Sequence, residues 1–134
     1  MDTRTIINTC FIENINTIKN VQDQNSKEIE LIADMVYSTF SNNHRIFFCG
    51  NGGSAADCQH MAAEYVGRFK KERKGYPAIA LTVDTSILTS ISNDYSYDTV
   101  FERQLEALAA PGDLLIAYST SGTSKNIIKV LEKA

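Results

Sequence analysis

The sequence predicts an α/β fold: a doubly wound, flavodoxin-like parallel sheet with helices on both faces and two helices leading into it. Three observations carry this. Short continuous apolar runs at 45–49 (RIFFC), 78–81 (AIAL) and 114–118 (LLIAY) read as buried strands. Each is followed by a polar or glycine-rich segment and then by helical patterning, the alternation of parallel βαβ units. Before residue 45 the apolar spacing is helical throughout.

The elements follow in order. Ile7, Cys10, Phe11, Ile15 and Ile18 fall at helical spacing, and Ile29, Ile32, Ala33, Val36 and Phe40 do so again after the polar stretch DQNSKE, so two amphipathic helices are expected within residues 1–44. After the first strand, Ser54-x-x-Asp57 fits a capping box and predicts a helix start, as does Thr99-x-x-Glu102. Pro111-Gly112 is a turn feeding the third strand. A last helix begins near Ser124 and is still running at VLEKA, with no glycine or proline stop. Three strands are few for an open parallel sheet, so residues 1–134 read as a single domain truncated at its C-terminus.

Composition narrows the function. Hydrophobic residues make up 43% and charged residues 22%, an ordinary globular balance without a bilayer-spanning run. Residues 1–20 lack the basic and apolar blocks of a signal peptide, so the cytoplasm is expected. A net charge of −3 argues against direct binding to nucleic acid. Cys10, Cys49 and Cys58 are odd in number and form no C-x-x-C pair, so they read as reduced, mostly packing residues.

Chemistry concentrates after two strands. Gly50-Asn51-Gly52-Gly53 lies between a strand and a helix start, where bare backbone amides and a positive dipole end can face an anion or polar ligand. A tight turn without a ligand would use the same glycines. Gly50-x-Gly52-x-x-Ala55 also satisfies a dinucleotide fingerprint, but the acidic partner it needs comes late, at Asp84. In STSGTS, residues 119–124, Ser119, Thr120, Ser121, Thr123 and Ser124 surround Gly122 just before a helix, a neutral cradle for a phosphate or else a capped connection. Two such loops at strand carboxyl ends point to one crevice. On the helix after the glycine loop, Cys58, Met61, Ala62, Tyr65 and Phe69 form an apolar stripe, while His60, Glu64 and Arg68 recur every fourth residue on another face, about a turn beyond the glycines. That pair can hold a divalent ion, serve as a base with its neighbours, or form a solvated ion pair.

The stretches CGNGGSAADCQHMAAEYVGRF, PAIALTVDTSILTSISNDYSYD and STSGTS together resemble the sugar-isomerase (SIS) domain family, and within it the phosphoheptose isomerases. The resemblance implies isomerisation of sedoheptulose 7-phosphate to D-glycero-D-manno-heptose 7-phosphate, a step towards bacterial cell-surface heptose. It implies phosphate binding by Ser119, Thr120, Ser121 and Ser124, and sugar contacts from Asn51, Gly52, Gly53, Asn93 and Asp94, with Arg68 a further contact. Glu64 would move the proton between C1 and C2. His60 and Glu64 would also ligate zinc, and the protein would be a homotetramer with sites at subunit interfaces, needing neither nucleic acid nor membrane.

Family members continue into elements carrying a glutamine ligand and an acid/base histidine. Neither has a counterpart here, since His44 and His60 are the histidines present, so this chain alone is expected to be inactive. Two other functions share the resemblance. One is a regulator binding the replication initiator DnaA. The other is a phosphosugar-sensing domain of a transcription regulator, against which count six acidic and three basic residues in the first 44.

Overall fold

A computed structural model describes residues 2–134, which fall into two compact units, one ending at Met35 and one spanning Val36–Ala134. A single helix, α1 (Thr3–Ser41), replaces the two helices expected. Nothing between Asp23 and Glu28 breaks it, because Asp, Asn and Ser are only weakly unfavourable inside a helix. The Ser26 hydroxyl donates back to the Gln22 carbonyl, so even this residue is accommodated without leaving the helix. Of the first unit alone, Ile6, Ile7, Phe11, Ile12, Ile15, Ile18, Ile29, Leu31 and Ile32 are exposed.

In the second unit the elements alternate as predicted: β1 (Ile46–Gly50), α2 (Gly53–Val66), β2 (Ala78–Ala80), α3 (Thr85–Asp94), a 3-10 turn (Tyr97–Thr99), α4 (Val100–Leu108), β3 (Leu114–Tyr118) and α5 (Lys125–Lys133). The strands are all parallel, in the order β2-β1-β3. Strand β1 is central, and all five of its residues are buried, as a strand covered on both faces requires.

Alternation along the strands sorts the core into two layers. On one face Phe47 and Cys49 pack with Leu81, Val100, Phe101, Leu105, Ile127 and Val130, so α4 and α5 cover it. On the other, Ile46, Phe48, Ala78 and Ala80 pack with Cys58 and Ala62 of α2, and Val36 and Phe40 from the end of α1 join them. Burial pushes the Cys49 thiol up to about 12 and the Cys58 thiol to about 11, so both are neutral packing groups, whereas Cys10 is exposed.

The strand starts are fastened by Asp113. It accepts from the Arg45 and Ala110 backbone amides at 2.8 and 2.9 Å and pairs with the Arg45 guanidinium at 3.0 Å. Ala110 to Asp113 form the expected turn, closed by a 3.0 Å backbone hydrogen bond, with Gly112 at φ +95°. Gly112 lies so close to the His44 ring that a Cβ there would collide with it, which places His44 at this end of the sheet.

Two helix starts differ from expectation. Gly52 caps α2 and Ser54 lies inside the first turn, so the Ser54 hydroxyl does not cap it. Thr99 does precede α4, but its hydroxyl donates to the Ser96 carbonyl instead. In both places the chain enters the helix from a tight turn, which sets the direction of approach without a side-chain cap.

Candidate functional site

The glycine loop is shaped by two different demands. A Cβ on Gly50 would lie 2.9 Å from Ser54 backbone atoms, so this glycine lets the turn fold back on the helix. Gly52 has φ +56° and ψ −121°, a region that L side chains rarely adopt. Around Gly52 and Gly53 a Cβ would meet nothing within 4 Å, so the loop presents open backbone at the start of α2.

The serine loop has the same character. Gly122 has φ +68° and open space where a Cβ would stand. The Ser119 hydroxyl accepts from the Gly122 amide at 3.0 Å, and the Ser121 hydroxyl accepts from the Thr123 amide at 3.2 Å, so the hydroxyls hold the loop's own curve. Ser124 occupies the N-cap position of α5, yet its side chain does not cap the helix. The loop therefore offers a hydroxyl and a helix N-terminus together, a suitable arrangement for a phosphate.

The structure brings the two loops together. Asn51 and Asn126 exchange side-chain hydrogen bonds at 2.9 and 2.8 Å, and the Tyr97 hydroxyl donates to Asn51 Oδ1 at 3.1 Å. Asn126 and Tyr97 were not among the residues singled out by sequence. Asn93 donates to Asp94, and Asp94 lines a groove of about 310 Å³ between α3 and α4 with Arg103 and Gln104. Asp84 accepts from the Ile87 amide as the N-cap of α3, which accounts for it without a nucleotide ribose.

His60 and Glu64 lie 3.6 Å apart on α2, the imidazole largely exposed and the carboxylate 29% exposed. At 1.5 Å per residue they stand roughly 10 and 16 Å along the helix axis from Gly53, farther than the single turn expected. One copy therefore keeps this pair away from its own glycine loop. Arg68 is not on the same helix face, because α2 ends at Val66; it is exposed and pairs with Glu72 at 3.2 Å. Phe69, expected on the apolar stripe, is exposed beyond the helix for the same reason. Imidazole and carboxylate are donors that zinc accepts, but among the described residues no group of three or more His, Cys, Asp or Glu converges.

A family model of the SIS domain matches residues 11–134. The chain belongs to the SIS-domain family. It is 53% identical over 124 residues to a phosphoheptose isomerase of Aliarcobacter butzleri, covering 92% of this chain and 66% of that protein. Among solved structures, a phosphoheptose isomerase of Neisseria gonorrhoeae superposes with a TM-score of 0.93 at 38% identity, covering 99% of this chain and 69% of the other. One from Francisella tularensis gives 0.95 at 32% identity, covering 100% and 70%. The chain spans 66%, 59% and 56% of the length of three curated relatives that it matches. No described helix is long and apolar enough to cross a membrane.

Proposed function

We propose that this SIS-domain chain serves an aldose–ketose isomerase acting on sedoheptulose 7-phosphate, in the cytoplasm, on the way to bacterial cell-surface heptose. The observation that carries this is the fastening of the glycine and serine loops side by side at the carboxyl ends of β1 and β3, in a chain whose relatives are named phosphoheptose isomerase. The phosphate is assigned to Ser119, Thr120, Ser121 and Ser124, and the sugar hydroxyls to Asn51, Gly52, Gly53, Asn93 and Asp94.

Glu64 is assigned the proton transfer. In the open-chain ketose its carboxylate takes a proton from C1, giving an enediol, and returns it at C2 to give the aldose. The hydroxyl proton must also pass from O1 to O2, and the resemblance gives that task to a histidine without a counterpart among these 134 residues. His44 does not supply it, being packed against Gly112 at the opposite end of the strands. His60 and Glu64 would furnish two of the four ligands of a zinc ion, which when bound would stabilise charge developing on the substrate oxygens.

The proposal includes a homotetramer in which the loops of one copy meet the His60–Glu64 face of another, since Glu64 stands roughly 16 Å along α2 from the glycine loop of its own copy. The exposed apolar residues of α1 provide surface for such an assembly.

The test uses the natural protein, with intact mass and zinc content measured on the same sample as turnover of sedoheptulose 7-phosphate. Turnover is expected, with Glu64→Gln lowering kcat by about 100-fold or more while leaving sugar-phosphate binding in place. Undiminished turnover in Glu64→Gln would remove Glu64 from the chemistry. A natural protein that binds the sugar phosphate without turning it over would favour a phosphosugar-binding regulator or a DnaA-binding relative.

A further inference from the structure

Asn126 is 3% exposed on the first turn of α5, where most buried neighbours are apolar, such as Ile127 and Val130. A primary amide in such a place must find partners within the protein. It finds them 75 residues away in Asn51, through a closed ring of two hydrogen bonds at 2.8 and 2.9 Å. Tyr97 adds a third bond to Asn51 from the turn between α3 and α4.

Asn51 stands among Gly50, Gly52 and Gly53, residues that lose the most conformational freedom when a turn is fixed. The side-chain bonds described for this turn run through Asn51, so its placement depends on groups outside the turn. Asn126, in turn, lies two residues after Ser124, on the helix whose N-terminus carries the serine loop. The amide pair thus sets the spacing between the two loops.

We propose that Asn126 and Tyr97 are positioning residues, acting through Asn51 to fix the glycine loop against the serine loop at the separation a sugar phosphate needs. This rests on the assignment of both loops to one sugar-phosphate site. Replacing Asn126 with Asp should not restore the function, because a carboxylate can accept from Asn51 Nδ2 but cannot donate to Oδ1.

The test is a double-mutant cycle on the natural protein with Asn51→Ala, Asn126→Ala and the pair, reading KM and kcat for sedoheptulose 7-phosphate, beside amide hydrogen exchange of the ligand-free proteins. Asn126→Ala is expected to raise KM about tenfold, the equivalent of one to two lost hydrogen bonds. In the double variant it should add little to Asn51→Ala, because both changes break the same link. Exchange at the Ala55 and Ala56 amides, which donate to the Gly52 carbonyl at 3.0 and 3.4 Å, should quicken in Asn126→Ala and less so in Tyr97→Phe, which keeps the ring and serves if Asn126→Ala fails to fold. Multiplying effects on KM, or unchanged exchange at Ala55 and Ala56 in folded variants, would overturn the proposal. If the natural protein neither binds nor converts the sugar phosphate, the site assignment fails, and the exchange of these two amides alone decides whether Asn126 positions the loop.

Discussion

Asp113 shows at the scale of one residue how a carboxylate is stabilised in its charged form. Burial works to raise its pKa, but the amides of Arg45 and Ala110, the Arg45 guanidinium and its charge outweigh that and hold the carboxyl below its ordinary range. Because the folded value lies below the unfolded one, the stabilisation is present above the unfolded pKa of about 4 and disappears as pH falls through the folded value. Asp113→Asn should therefore cost roughly 1.5–3 kcal/mol at pH 7, and urea midpoints of variant and parent should converge as the pH is taken below the unfolded value. A gap that stays constant with pH would mean that the charge is irrelevant. Asp113 was unremarkable in the sequence beyond following a Pro-Gly turn, because Arg45, which gives it both an amide and a guanidinium, lies 68 residues away. The glycine and serine loops were legible, since a glycine at positive φ and a run of hydroxyls before a helix each leave a local trace. Asn126 and Tyr97 left none: their contacts to Asn51 span 75 and 46 residues and follow no period.

Among the elements, α2 depends on a residue outside itself. Its last turn contains no basic side chain, and its final carbonyls need partners that the helix cannot give. Arg73 supplies them, donating from Nη2 to the Glu64 carbonyl and from Nη1 to that of Tyr65, both at 2.8 Å, and to Gly67 at 3.3 Å, while its guanidinium lies over the Tyr76 ring at 4.5 Å. Arg73→Ala should cost about 1–3 kcal/mol in denaturant unfolding. Arg73→Lys should recover only part of it, since an ammonium is a point donor and cannot span several carbonyls as a fork does. Equal stability of the Lys variant and the parent would show that charge alone suffices. The strands were readable because each is a short continuous apolar run flanked by turn residues. The polar stretch at 23–28 looks like a break but is none, because its residues are only weakly unfavourable in a helix and residues 3–41 contain neither glycine nor proline. The end of α2 at Val66 was missed because the periodicity of His60, Glu64 and Arg68 runs straight through Gly67.

At the scale of the whole molecule, the two units differ in what stabilises them. Val36–Ala134 buries Phe47, Phe48, Phe101 and Ile46 almost completely on two sheet faces. The unit ending at Met35 is a helical segment whose Phe11 is 66% exposed and Ile18 62% exposed, so in a single copy little apolar burial supports it. Helices owe most of their stability in proteins to the packing of an apolar face. If copies associate through this segment, mass action couples its helicity to protein concentration. Amide hydrogen exchange across residues 3–35 should then slow as the protein is concentrated from nanomolar to micromolar levels, while exchange in β1 stays constant. Phe11→Asp should abolish that dependence, since a charge at the contact would have to be desolvated on association. Sedimentation velocity on the same samples would show the corresponding change in mass. Exchange in 3–35 that is fast and independent of concentration would mean that this surface is not where the copies meet, and the joining of one copy's loops to another's Glu64 would have to run through Val36–Ala134 instead.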